Sequence, residues 1–357
     1  MDTEIFFVGI DLGTFKTSVA SSNGSRDVFY SAVGWPRDHL ARLLLGRDVV
    51  FGNDIVEQRL ALHVVRPFEK GVLKYNNVDT HLSHGQVEKH KEAARLLVEH
   101  AVARARPPKG ARVFGIIGAP ARANVMARRI ILEAAQHSFD AAMIASEPFL
   151  VAYGMDRLHD TLVIDIGAGT IDLCPVYGVF PKEEDQVTLP VGGDFIDEHF
   201  FHAMHRAHPQ AQLSLNMARE IKEKYGSVHE GNERVLVTLP VNGTPTPIDV
   251  GGVLKEACRV IVPPIIEGLR ELIGRFDPEF QQRMLHNILL SGGGSMLRGL
   301  DRVIEESLRS YGGGRVRKAN DAVFAGAVGA LKLATGMPAH AWEHFEFRPS
   351  GSVARAA

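Results

Sequence analysis

Two segments of this chain repeat one another. GIDLGTFKTSVA at residues 9–20 and VIDIGAGTIDLC at residues 163–174 each run from a buried-type strand into an Asp-x-Gly turn, pass a threonine and leave along a second strand. Their aspartates, Asp11 and Asp165, stand 154 residues apart, close to half of the 357-residue chain. One such turn means little, because Asp and Gly dominate ordinary turns. Two copies at this spacing, each between a buried strand and a more polar one, point to a duplicated α/β domain with one loop from each half facing a common cleft.

The loops have a definite chemistry. Glycine lets backbone amides approach phosphate oxygens that a Cβ would hold off. Asp11-Leu12-Gly13-Thr14-Phe15-Lys16 and Asp165-Ile166-Gly167-Ala168-Gly169-Thr170 supply that approach, with the hydroxyls of Thr14 and Thr170 as further donors and Lys16 as a point charge. Asp11 and Asp165 repel phosphate, so their sensible part is to hold a hydrated Mg2+ that neutralises it. Two such loops clamp one triphosphate.

The rest of the chain alternates strand and helix patterns. The first half reads as strands at 5–10, 17–21 and 28–33, an irregular inserted unit of several short elements at 34–74, a helix at 86–105, a strand at 113–118, a helix at 121–137 and a strand at 142–145. Glu147 follows that last strand and heads a helix at 148–158. A carboxylate there suits orientation of an attacking water, and equally suits stabilisation of a helix N-terminus. After the second loop come strands at 173–179 and 186–189, Gly192-Gly193-Asp194 before a helix at 195–205, and a helix at 217–225. Strands at 234–239 and 246–250 flank an Asn242-Gly243 turn. A single long helix at 252–272, a strand at 287–290 and an Ala/Gly-rich helix at 322–333 complete the pattern. Ser291-Gly292-Gly293-Gly294-Ser295 suits close approach to an α-phosphate, ribose or base, or serves as a flexible turn. Most of the charges of residues 218–224 read as a solvated helix face.

Composition narrows the alternatives. With 45% hydrophobic and 23% charged residues and a net charge of -2, the chain has no overall drive toward nucleic acid or anionic lipid. Its two cysteines, Cys174 and Cys258, form no disulfide framework or thiolate metal site. The N-terminus lacks a secretory pattern and no apolar run is long enough to span a bilayer, so a cytoplasmic address without direct membrane insertion is expected.

The two loops, the SGGGS loop and the IKEK helix at 221–224 together resemble the superfamily of actin, the heat-shock ATPase chaperones and the sugar kinases, over nearly the whole chain. Length and small insertions are similar to the bacterial actins of the MreB type. Ser146–Gly154, Gly118-Ala119-Pro120-Ala121-Arg122 and Val191-Gly192-Gly193-Asp194 resemble the magnetosome actins within them. The resemblance implies an actin-like fold of two RNase H-like α/β domains, with ATP and Mg2+ as cofactors. It implies Asp11 and Asp165 on the magnesium side, Asp165 with a catalytic part, and Glu147 as the residue that activates water. Gly193, Lys222 and Glu223 then serve the nucleotide, with Lys222 and Glu223 at the adenosine, and Gly292, Gly293, Gly294 and Ser295 lie beside the α-phosphate and base. The chain departs from the MreB pattern at Phe15-Lys16 and at Ile171, where a second threonine is usual. It also lacks the amphipathic N-terminal helix that some MreB proteins carry.

The expected organisation is four subdomains. The first half comprises 1–33, 75–146 and 318–345 with 34–74 inserted; the second comprises 147–179 and 251–317 with 180–250 inserted; 346–357 form a disordered tail. The function implied is an ATPase that polymerises with itself into cytoskeletal filaments, with magnetosome-associated proteins as further partners. A cell-shape filament and a small-molecule kinase are the alternatives. A chaperone of this superfamily needs a separate peptide-binding domain, for which the chain is too short.

Overall fold

The computed structural model describes residues 4–69, 72–73, 84–121, 123, 125–229, 231 and 233–347. The chain forms two compact units, one from residues 1–119, 123–154 and 326–357, the other from 120–122 and 155–325.

The first unit opens with a meander of β1 (Ile5–Leu12), β2 (Lys16–Ser21) and β3 (Arg26–Tyr30). The expected third strand at 28–33 is in fact two. The Ser31 amide donates to the Phe15 carbonyl, and β4 (Val33–Pro36) leaves for a separate sheet of order β5-β4-β6. The inserted stretch carries several short elements, as expected: α1 (His39–Leu45), β5 (Val50–Phe51), α2 (Asp54–Glu57) and β6 (Leu62–Val65), with Ala32, Val50, Ile55 and Leu62 as its own core. Asp38 caps α1 by accepting from the Ala41 amide, and Gly46 ends it at φ 62. A short pair, β7 (Phe68–Glu69) and β8 (Val72–Leu73), follows.

The chain returns through α3 (His84–Ala105), whose Ala94, Leu97, Val98 and Ala101 are fully buried as the helical spacing requires. Then come β9 (Arg112–Ala119), α4 (Val125–Ala135), β10 (Ala141–Ser146) and α5 (Glu147–Gly154). The α4 helix is shorter than the 121–137 expected, and Arg122 lies outside the described residues. The sheet has the order β10-β9-β1-β2-β3, its β1, β9 and β10 parallel.

The second unit repeats the plan. A meander of β11 (Thr161–Ile166), β12 (Ile171–Val176) and β13 (Val187–Leu189) leads to α6 (Gly193–Ala207), α7 (Leu215–Tyr225) and the hairpin β14 (Leu236–Val241) to β15 (Thr244–Asp249). Asn242 and Gly243 turn that hairpin at φ 51 and 80, the positive pair that a two-residue turn needs. The expected long helix at 252–272 is broken into α8 (Gly251–Arg259) and α9 (Val262–Ile273). Pro263 and Pro264 lack amide donors and their rings clash with the preceding turn, so α9 restarts with proline in its first turn. The chain continues through α10 (Pro278–Leu285), β16 (Ile288–Ser291), α11 (Leu300–Ser307) and β17 (Val316–Lys318). This sheet has the order β13-β12-β11-β16-β17, so a three-strand meander followed by two parallel strands occurs twice.

The last helices, α12 (Ala325–Gly336) and α13 (Ala339–Trp342), complete the first unit. A methyl group at Gly9 would lie 2.2 Å from the Ala327 carbonyl oxygen, and one at Gly329 would lie 1.8 Å from that of Leu150. The Ala/Gly composition of α12 thus lets it lie backbone against backbone on β1 and α5. The first two residues of the expected tail pair with the sheet. Glu346 bridges to Ala141, and the Phe347 amide donates to the Asp140 carbonyl; residues 348–357 lie outside the described ones.

Candidate functional site

In the first unit, parallel pairing brings Asp11, Gly118 and Ala145 abreast at the carboxyl ends of β1, β9 and β10. Open α/β sheets place functional groups at this edge. Glu147 starts α5 one residue past β10 and is buried, 8% exposed. A Cβ at Gly118 would lie 3.2 Å from its Cγ, so the glycine leaves room for this side chain. On the other side, Gly326 in the first turn of α12 lies so close that a Cβ would sit 2.5 Å from the Asp11 Oδ2. A carboxylate is favoured beside a helix N-terminus.

The turn 13–16 is held from below. The Ser31 hydroxyl donates to the Gly13 carbonyl at 2.6 Å and lies 2.8 Å from the Thr17 hydroxyl. The Phe15 ring meets Tyr30 edge-on at 4.9 Å and carries the Arg66 guanidinium at 5.1 Å. Phe15 therefore anchors the loop on its own unit, while Lys16 is exposed.

In the second unit, Asp165 near the end of β11 accepts from the Ser291 hydroxyl at 2.5 Å. Burial raises its carboxyl above the usual range, and the serine opposes that rise. The Gly167 amide closes the turn by donating to the Thr170 carbonyl at 2.9 Å. Asp165 pairs across the strands with Asp172 just as Asp11 pairs with Ser18. By that register Thr170 occupies the place of Lys16, and Ala168 that of Thr14. Thr14 and Thr170, which look like partners in the sequence, hold different places in the two turns.

Asp172 escaped the sequence reading. It is 1% exposed and accepts from Thr188 Oγ1 at 2.5 Å, the Ala121 amide at 3.2 Å and Thr170 Oγ1 at 3.3 Å. Burial above all, with Asp165 adding repulsion and these donors opposing, pushes its carboxyl up to about 7. The one available signal was a charged residue in an otherwise apolar strand, Ile171-Asp172-Leu173.

Further segments converge on the second loop. The Gly193 amide donates to the Gly167 carbonyl at 3.0 Å and the Asp194 amide to that of Ala168 at 2.8 Å. The Lys222 ammonium donates to the Gly193 carbonyl at 2.9 Å. Of the charges on this helix Glu220, Glu223 and Lys224 are exposed, as expected for most of them, whereas the side chains of Lys222 and Arg219 are only 11% exposed. Gly292, at φ 76, and Gly294 lie on Ile166, where a Cβ would come within 2.4 and 2.1 Å of its atoms. Buried Ser295 donates to the Gly292 carbonyl at 2.7 Å, whereas Gly293 is exposed with open space at its α-carbon. The loop begins a short 3-10 turn, Gly293–Met296, and the α-helix waits until Leu300.

The MreB/Mbl protein model matches residues 6–340. This chain belongs to the MreB/Mbl family. Among its relatives is the actin-like protein MamK of Paramagnetospirillum magneticum, 38% identical over 336 residues that cover 94% of both chains. The solved MamK double helical filament matches with a TM-score of 0.88 at 38% identity, covering 94% of this chain and 100% of that one. A non-polymerising MamK mutant bound to AMPPNP matches with a TM-score of 0.71 at 38% identity, covering 93% and 99%. The fold of this MreB/Mbl protein is the actin-like one. Among the described residues no helix is long and apolar enough to cross a membrane, and no three His, Cys, Asp or Glu side chains gather into a metal-ligating group.

Proposed function

We propose that this chain binds Mg-ATP through its two acidic loops, hydrolyses it, and assembles with copies of itself into cytoskeletal filaments that turn over with hydrolysis. The observation that carries the reading is the duplicated sheet: in each unit the first strand of the meander, β1 or β11, ends at an acidic glycine loop, and in the second unit β16, parallel to β11, ends at the glycine loop Gly292–Gly294. The glycine cradles at Gly167, Gly192–Gly193 and Gly292–Gly294, with open space over Gly293, fit a phosphate-bearing nucleotide. A solved relative bound to AMPPNP and another solved as a filament support it further.

Within that reading each residue has one part. Asp11 and Asp165 hold Mg2+ through water, and the ion supplies charge neutralisation at the phosphates. The loops Gly13–Lys16 and Gly167–Thr170 orient the β- and γ-phosphates by backbone donors and hydroxyls. Gly193, Lys222, Glu223 and the loop Gly292–Ser295 serve the adenosine end. Glu147, set in a buried position at the sheet edge, orients the attacking water and draws off its proton. Filament contacts are head-to-tail and heterologous, so they extend rather than close. By analogy with MamK, the filaments organise magnetosomes and meet magnetosome-associated proteins in the cell.

Phosphate release and sedimentation measured on one sample test the reading. ATP should yield both phosphate and a pellet, and ADP should yield neither. Phosphorylation of an added sugar without any ATP-dependent pellet would assign the chain to the kinases of the superfamily instead.

A further inference from the structure

Beneath the second loop lies a network of charges centred on Asp197, a residue with no part in the reading above. Asp197, in the second turn of α6, is 1% exposed. Its Oδ1 lies 2.7 Å from the Lys222 ammonium and its Oδ2 lies 3.0 Å from the Arg219 guanidinium. Arg219 also reaches the Asp194 carboxylate at 2.8 Å. Both cations come from α7, so one buried carboxylate joins two helices through two ion pairs.

What these pairs hold is the first turn of α6. Lys222 donates to the Gly193 carbonyl while the Gly193 and Asp194 amides donate to the carbonyls of Gly167 and Ala168. A continuous chain of contacts therefore runs from Asp197 through Lys222 and Arg219 to Gly193 and Asp194, and on to the turn carrying Gly167–Thr170. Burial raises the Asp197 carboxyl, and Lys222 and Arg219 counter that rise. Removing the shared anion leaves two largely buried cations without it, which costs far more than losing an exposed ion pair.

We propose that Asp197 is a positioning residue of the nucleotide site: by clamping Lys222 and Arg219 it fixes the Gly193 turn, and with it the second phosphate loop, in the geometry that binds ATP. The inference rests on the ATP reading of that loop. Its effect falls on binding, because Asp197 acts only through Lys222 and Arg219 on the Gly193 turn and has no part in the proposed chemical step.

The test compares wild type with Asp197→Asn, which keeps the shape and removes the charge, at a temperature where circular dichroism shows both folded. A fluorescent ATP analogue, steady-state hydrolysis and hydrogen exchange at residues 167–170 and 192–194 are read together. Expected are a rise of about tenfold in Kd and KM, a change in kcat of less than about threefold, and faster exchange at those two segments with β11 and β12 still protected. A folded Asp197→Asn protein with wild-type Kd and KM overturns the proposal. If that variant does not fold, Arg219→Gln, which keeps the Asp197 to Lys222 pair, carries the test: KM should rise about threefold, and an unchanged KM overturns the proposal. Wild type that binds no ATP analogue at all would instead overturn the nucleotide reading itself.

Discussion

Asp165 and Asp172 face each other across the β11–β12 hairpin, at the register where the first hairpin pairs Asp11 with Ser18. Duplication has kept the backbone and placed a second acid in one copy only. Both carboxyls are raised by burial, Asp172 to about 7.

That placement gives a pH signature. An unfolded aspartate titrates near 3.9, so Asp172 takes up a proton on folding between about 4 and about 7. Its contribution favours the folded state at low pH and fades as pH rises through about 7. Wild type should therefore lose stability relative to Asp172→Asn as pH rises across this window, by at most about 1.4 kcal/mol per unit. Urea unfolding of both proteins at a series of pH values measures it. A pH-independent difference between them would refute the assignment.

His100 should behave in the opposite sense. Its ring stacks on Phe51 at 4.2 Å and meets Phe29 edge-on at 4.7 Å. Burial, aided by Arg104 and opposed by Asp27, lowers its pKa from 6.5 to about 4. The neutral ring is favoured in the fold, so its contribution is present above pH 6.5 and is lost as pH falls toward 4. An NMR titration of the His100 ring should show a midpoint near 4; a midpoint near 6.5 would mean that the ring is solvated.

The close approach of α12 is tested by Gly329→Ala. The added methyl would meet the Leu150 carbonyl oxygen at 1.8 Å, and backbone on both sides has little room to yield. Destabilisation of about 1–3 kcal/mol is expected from chemical denaturation. Gly326→Ala, whose methyl meets the Asp11 carboxylate, should lower ATP affinity as well, whereas Gly329→Ala should not. Equal affinities for the two variants would separate Gly326 from the site.

The repeat was legible because buried strands of branched residues ending in Asp-x-Gly carry a local signal, and so was the Asn242-Gly243 turn. The break between α8 and α9 was legible too, in Pro263-Pro264, but the apolar spacing continued through it and suggested one helix. The role of Asp172 was hidden because it depends on cross-strand register and on Thr188, sixteen residues away. The burial of Arg219 and Lys222 was hidden for a similar reason. Their charges read as solvated until α7 packs on α6 and Asp197 meets them. β17, three residues long, is ordered mainly by pairing with β16 and has little pattern of its own.

In the proposed function hydrolysis links nucleotide to assembly, and Glu147 is the residue that drives it. Negative-stain microscopy of wild type and Glu147→Ala, followed over time after adding ATP and paired with phosphate release, tests that link most directly. Wild type should form filaments that shorten as phosphate accumulates, and Glu147→Ala should bind ATP, release almost no phosphate and keep its filaments. Absence of wild-type filaments in ATP, or native phosphate release by Glu147→Ala, would contradict it.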